Sequence, residues 1–360
     1  MLVLSPSAYR WLLRPLLFRL PAETAQKAAD LALKQRFVWK AASPALRTTD
    51  PRLRADYCGI PLANPLGLAA GFDKNCVMIP GLASMGFGYL TVGTVTEGSR
   101  PGNAKPRMFR MPERESLINA LGFPGKGLEA AHAALTKARK TSVAAPIVVS
   151  VSGTDAGQIV RCHRRLEPLA QAVEVNISSP NTAGLRLFHD AEALADLLAQ
   201  LNDGRKAPLI IKLPPYPLKG AGEPTDEQAR EKLLALARLC AKSGVDTLTV
   251  ANTRPTRDAR LAVGAGGLSG RAIFPEMLEM VADVRREVGW KVRINACGGI
   301  FTGAEAWQAL KAGADTVQLY TALVYRGPGA IRQINRELIT AMRRDHSMPL
   351  ADWLAARRNG

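Results

Sequence analysis

The sequence predicts an α/β chain, a (β/α)8 barrel preceded by two amphipathic helices, and three observations carry that reading. Eight short apolar runs, many rich in β-branched residues, follow one another after residue 53. Helical periodicity fills most of the gaps between them, and the residues just past each run are almost all glycine or polar. Strands alternating with helices give a parallel sheet, and eight such units are the number that closes one into a barrel. A doubly wound open sheet is the alternative, but such sheets usually have fewer strands.

The first stretch is amphipathic. Tyr9, Leu12, Leu13, Leu16, Leu17 and Leu20 recur at helical spacing with Arg10, Arg14 and Arg19 between them, and Pro15 predicts a kink or break. After Pro21 a second run, Ala25, Ala28, Ala29, Ala32 and Leu33, carries Lys27 and Lys34 on its polar side. Two short helices joined at Leu20-Pro21 are expected in residues 1–43. They suit a membrane interface, with Trp11 and Phe18 in the acyl boundary, and equally a cap on the main domain. Residues 41–52, rich in Ala, Ser, Pro and Thr, read as a linker; the barrel is placed within 44–345 and a C-terminal tail in 346–360.

Composition narrows the class. The chain has 360 residues, 47% hydrophobic and 22% charged, which is ordinary globular usage and allows one large core. A net charge of +17 points to an anionic partner. Residues 1–54 hold ten Lys or Arg against Glu23, Asp30 and Asp50, which favours an N-terminal docking segment; with no nucleic-acid motif beside it, no nucleic-acid partner is expected. Five cysteines, an odd number without a C-x-x-C pair, indicate neither a disulfide framework nor a zinc site, and no metal is expected. Neither a signal peptide nor a membrane-spanning helix is predicted.

The expected strands are Leu66 to Ala70, Tyr89 to Val95, Pro146 to Val151, Val173 to Ile177, Leu209 to Leu213, Thr247 to Ala251, Val292 to Ala296 and Thr316 to Tyr320. Helical stretches are clear at Ala191 to Leu201, Glu227 to Ala241, Pro275 to Val288 and Ala304 to Ala312. Barrel chemistry sits at the C-terminal strand ends. Those ends supply Gly71, Lys74, Thr94, Ser150, Asn176, Ser179, Lys212, Asn252, Thr253, Gly298, Gly299, Tyr320 and Thr321. Glycine-rich turns at Gly264 to Gly270 and at Cys297 to Ile300, the second opening a helix, fit a phosphate site near the last strands. Lys74 and Lys212 fit a carboxylate, a flavin locus or a Schiff base. The four histidines, His132, His163, His189 and His346, fall away from strand ends, so the proton acceptor is sought among Ser, Thr, Cys and Lys. Ser179 is best placed and needs a water or Thr relay. Cys76 and Cys297 read more simply as packing.

At this point the motifs identify a resemblance. Asn64-Pro65 to Asp73-Lys74-Asn75, Val92 to Thr96, Gly102-Asn103 to Pro106-Arg107, Asn176 to Arg186, Gly266 to Arg271 and Val317 to Thr321, in this order, resemble the membrane-associated, quinone-dependent (class 2) dihydroorotate dehydrogenases. The resemblance implies a TIM barrel that uses FMN to oxidise dihydroorotate to orotate in pyrimidine synthesis. Its electrons would pass to a membrane quinone through the N-terminal helices. It implies Ser179 as the base at C5 and a substrate site of Lys74, Asn119, Gly122, Phe123, Asn176, Asn181, Asn252 and Thr253. FMN would be held by Ala70, Gly71, Thr94, Ser150, Asn176, Lys212 and Ala251, with its phosphate on Gly270, Gly298, Gly299, Tyr320 and Thr321. Gln26, Arg110 and Tyr320 would border the quinone. A monomer bound peripherally through residues 1–40 to the cytoplasmic face of the membrane is the expectation. Departures are an Asn119-Ala120-Leu121-Gly122-Phe123-Pro124 loop that lacks an Arg and an Asn, Ser150 in place of a flavin-contacting Asn, Ala251 in place of Thr and Gln26 in place of His. The alternative is an FMN barrel acting on another cyclic imide or pyrimidine.

Overall fold

The computed structural model describes residues 5–141, 143–178, 185–216, 227–345 and 348–359. All eight expected runs are strands: β1 Leu66–Leu68, β2 Tyr89–Val95, β3 Ile147–Val151, β4 Ala172–Asn176, β5 Leu209–Lys212, β6 Thr247–Val250, β7 Arg293–Cys297 and β8 Thr316–Leu319. They pair in parallel in sequence order, β8 returns to β1, and the sheet closes into the predicted barrel. The clear helical stretches form Ala191–Asn202, Glu227–Lys242, Phe274–Val288 and Gly303–Ala312. Local signals set their starts: the Asp190 carboxylate accepts from the backbone of Glu192 and Ala193, and Thr302 with Glu305 forms a reciprocal capping box.

The main core lies between the strands and the surrounding helices. In β4, Val173 and Val175 belong to it, whereas the alternate residues Glu174 and Asn176 face the barrel interior. That interior is unusually polar for a site where branched apolar residues dominate. Tyr89 Oη donates to Asn295 Oδ1 at 2.8 Å, Asn295 Nδ2 donates to Thr249 Oγ1 at 3.2 Å, and Thr249 Oγ1 donates to Glu174 Oε2 at 2.9 Å. A hairpin of Ala55–Tyr57 and Ile60–Leu62 closes the lower end, where Tyr57 stacks on Tyr89 with centroids 4.8 Å apart.

Four features differ from expectation. First, the glycine-rich stretch read as a turn is a strand, Ala265–Gly270, in an antiparallel sheet with Arg254–Arg257, Ser116–Asn119 and Met108–Met111 over the barrel mouth. Its glycines serve close strand approach: a Cβ on Gly266 would come within 2.5 Å of the Asn119 carbonyl oxygen. Second, the interruption expected at Pro15 takes a form that the sequence does not show. A π-helical turn, Tyr9–Leu13, widens the backbone just before Arg14–Arg19 and accommodates the ring and its missing N–H. Third, half of the supposed linker is helical: Arg36–Leu46 includes Pro44 and buries Ser43 and Leu46. The join at Leu20-Pro21 and the second helix, Ala22–Leu33, are as expected. Fourth, residues of the expected C-terminal tail form Leu350–Asn359, which buries Leu350 and Leu354.

The N-terminal helices are fastened to the barrel mouth. Arg107 Nε donates to Glu23 Oε1 at 2.8 Å, Arg110 Nη1 donates to the Leu17 carbonyl at 2.9 Å, and Tyr9 Oη donates to the Val324 carbonyl at 2.8 Å. The Arg110 guanidinium also lies over the Phe18 ring, 4.6 Å from its centroid. No described helix is long and apolar enough to cross a membrane.

Candidate active site

The C-terminal strand ends and the antiparallel sheet enclose a pocket. Of the residues singled out in the sequence, Ala70, Gly71, Lys74, Thr94, Asn119, Gly122, Phe123, Asn176, Lys212, Ala251, Asn252, Thr253 and Tyr320 line it. Met108, Leu117, Leu121, Pro124, Ser269, Ile273 and Cys297 also line it and escaped sequence reasoning as site residues. Most are apolar or small and carry no chemical signal; only Cys297, beside Gly298-Gly299, could have been promoted. Ser150 stands behind the wall, with its Oγ 3.0 Å from Thr94 Oγ1. Thr321 Oγ1 is 3.1 Å from the Oγ of the lining residue Ser269. Ser179 and Asn181 lie outside the described residues.

Asn176 organises one side of the pocket. Its Oδ1 accepts from the Ser178 amide at 3.2 Å, from Ser178 Oγ at 3.3 Å and from Asn252 Nδ2 at 3.3 Å. Asn252 Nδ2 also reaches Ser178 Oγ at 3.0 Å, and Asn252 Oδ1 accepts from the Thr253 amide at 2.8 Å. These bonds lock two planar amides, each with a donor and an acceptor, in fixed orientations. Below them, Ser152 Oγ donates to the Asn176 carbonyl at 2.8 Å. His189 is nearer than expected: its Nε2 is 3.1 Å from the Ile177 carbonyl, one residue past β4. A five-residue 3-10 segment, Leu185–His189, folds it back there, a return that the sequence does not announce.

Two lysines bring positive charge. Burial pushes the Lys74 ammonium below its usual range, opposed by the carboxylates of Asp30 and Asp73. Asp73 is itself fixed by backbone amides, accepting from Val77 at 2.9 Å and Met78 at 2.7 Å. Burial also works against the Lys212 cation, but Cys297 and Glu174 outweigh it and the pKa stands raised. The glycine turn after β7 does not open directly onto a helix as expected. Helix Gly303–Ala312 begins four residues beyond Gly299, and Glu305 and Glu337 already accept from the amides of Phe301, Thr302 and Gly303. Gly299 instead approaches Phe274 and Gly270: a Cβ there would meet the Phe274 nitrogen at 2.7 Å and the Gly270 oxygen at 2.8 Å, at φ +71°.

A second cavity of about 440 Å³ lies beneath the N-terminal helices, lined almost wholly by apolar side chains, with Gln26 and Arg110 among the few polar ones. Met108, Leu117 and Tyr320 border both spaces. A polar, cationic pocket and an apolar one therefore share a wall. That suits a reaction whose two partners differ in polarity and never meet.

Residues 52–342 match the sequence model of the family described as dihydroorotate dehydrogenase. A protein of Chloroflexus aurantiacus named dihydroorotate dehydrogenase (quinone) is 38% identical over 92% of this chain and 96% of its own length. One of the same name from Deinococcus radiodurans is 38% identical, covering 94% and 97%. Among solved structures, that of the Eimeria tenella enzyme in complex with ferulenol superposes with a TM-score of 0.77 at 28% identity, covering 89% of this chain and 93% of that one.

Proposed function

The chain belongs to the dihydroorotate dehydrogenase family, and from that premise we propose that its polar pocket holds dihydroorotate and FMN while the apolar cavity admits a quinone. The activity is the quinone-dependent oxidation of dihydroorotate to orotate in pyrimidine biosynthesis. The observation that carries the two-site reading is the shared wall of Met108, Leu117 and Tyr320 between the two pockets.

The residues present fit a flavin. Lys212 supplies a cation, Asn176 and Thr94 supply hydrogen-bonding groups, and Ala70, Gly71 and Ala251 leave room for a flat ring. Ala251, where the family's usual Thr is missing, contributes only space, so Thr94, steadied by Ser150, is the hydroxyl on offer. Gly270, Gly298, Gly299, Tyr320 and Thr321 would hold the phosphate. When bound, FMN supplies a hydride acceptor on the substrate side and an electron donor on the quinone side.

The chain's own part is binding, orientation and proton removal. Lys74 meets the substrate carboxylate, and the amides of Asn119, Asn176, Asn181 and Asn252, with Thr253, match the pyrimidine edge. Gly122 and Phe123 close the loop over it. Ser179 removes the C5 proton, and a water or hydroxyl relay carries it away, because a serine alone is a weak base. Gln26, Arg110 and Tyr320 border the quinone.

Residues 1–40 lie on the cytoplasmic face of the membrane in this reading. In support, Trp11 is 72%, Leu12 62% and Phe37 73% exposed, an apolar surface set among arginines. Purified full-length protein should be yellow, release FMN on acid treatment and reduce a hydrophobic quinone with dihydroorotate. Colourless protein, or turnover of another cyclic imide in preference to dihydroorotate, would overturn the reading.

A further inference from the structure

We propose that Glu174 is the counterion of Lys212, a positioning residue that fixes a positive charge at the floor of the polar pocket. Glu174 has no assigned part in the reaction described above, yet it is a fully buried carboxylate inside the barrel. Strand register puts the two side chains on adjacent strands and the same inward face, one diagonal step apart. Lys212 on β5 pairs with Asn176 on β4 and with Thr249 on β6, and Glu174 precedes Asn176 by two residues on the same inward face. Its Oε2 accepts from Thr249 Oγ1, the direct cross-strand neighbour of Lys212. Its Oε1 is buried without a hydrogen-bond partner among the described residues.

Lys212 needs such a partner. Its ammonium is buried, and the contact made by Nζ is with Cys297 Sγ at 3.9 Å. Burial pushes the Cys297 thiol up against the opposing pull of Lys212, so of the two groups that favour the Lys212 cation, Cys297 and Glu174, the carboxylate is the stronger acid. The remaining titratable groups around the pair are Tyr57 and Tyr89, both raised by burial and so uncharged. Among the described residues Glu174 is the carboxylate placed to balance the lysine, and a buried cation without a balancing charge tends to lose its proton. A fixed cation at this place stabilises negative charge developing on a ring bound against it. That consequence rests on the reading of the pocket as a flavin site; the charge balance between Glu174 and Lys212 does not.

The test is lysine NMR on the purified full chain carrying ¹³C at the lysine ε-carbon, with Lys212 assigned by Lys212→Met. In wild type the signal should remain that of an ammonium far into the alkaline range; in Glu174→Gln it should change to the neutral amine roughly 2 pH units lower than in wild type. Glu174→Asp keeps the charge and should stay within about one unit of wild type. Superimposable titrations for Glu174→Gln and wild type would overturn the proposal, since glutamine mimics a neutral Glu174 that donates from Oε1. Should Glu174→Gln fail to fold, infrared spectra of wild type with ¹³C-labelled glutamate decide: a protonated buried carboxyl band at neutral pH overturns the pair, and its absence supports it. Flavin content of the same samples judges the flavin reading separately.

Discussion

Asn176 shows how one residue comes to organise a whole site: its carbonyl is held by Ser152 and its side-chain oxygen by Ser178 and Asn252. Ser179 stands three residues further along the sequence. Ser179→Ala should retain flavin and slow its reduction by dihydroorotate by ~10²–10⁴-fold in anaerobic stopped flow; an unchanged rate removes Ser179 from the reaction. Lys74→Ala removes a charge-assisted bond and should raise KM for dihydroorotate by about 10- to 100-fold. In the proposed site Lys74 acts as a cation, and burial lowers its pKa. Affinity should therefore decline on the alkaline side at a lower pH than an ordinary lysine would give, and kcat/KM measured from pH 7 to 10 checks this. The lysines and asparagines of the pocket were legible in the sequence because polar residues ending apolar runs are conspicuous. Leu117, Leu121 and Ile273 were not, because an apolar lining residue looks like any core residue until the fold places it.

Among elements, the barrel strands were readable because they are apolar and regularly spaced, whereas the antiparallel sheet was not. Its strands are four to six residues long, and one of them is half glycine, a composition that signals a turn unless a neighbouring backbone is known to lie against it. The helix Arg36–Leu46 was hidden by Ala, Ser and Pro, and it emerges through packing on Ile79–Ala83. The helical N-terminal region therefore runs on to Leu46. Deleting residues 1–34 keeps that helix intact. The truncated protein should show flavin reduction by dihydroorotate within about threefold of wild type, while turnover with long-tailed quinones falls by roughly tenfold or more. Equal loss of both half-reactions would make the segment purely structural. In helix Ala156–Leu166, His163 is buried and its Nε2 has no partner among the described residues. Burial holds its pKa below the ordinary value, so the unfolded state takes up the proton first and stability is lost as pH falls below about 6.5. His163→Leu should flatten the loss of Tm between pH 7.5 and 5.5; an unaltered slope assigns the acid sensitivity elsewhere.

For the whole molecule, the C-terminal helix is tied to the barrel by charge. Asp315, fully buried, accepts from Arg285 Nη2 at 2.7 Å and the Ile294 amide at 2.8 Å, and also pairs with Arg358. Asp315→Asn strips the carboxylate from two arginines, one of them buried, and should destabilise the fold by about 3–5 kcal/mol in urea unfolding. A change below about 1 kcal/mol would mean that the arginines find solvent instead. In the proposed arrangement two pockets share one wall, a polar one for the reductant and an apolar one for the oxidant. The most direct measurement is to mix the purified protein anaerobically with dihydroorotate and then with a hydrophobic quinone, following flavin absorbance. The account predicts bleaching in the first step and recovery in the second. A flavin that stays oxidised with dihydroorotate, or stays bleached with quinone, contradicts it.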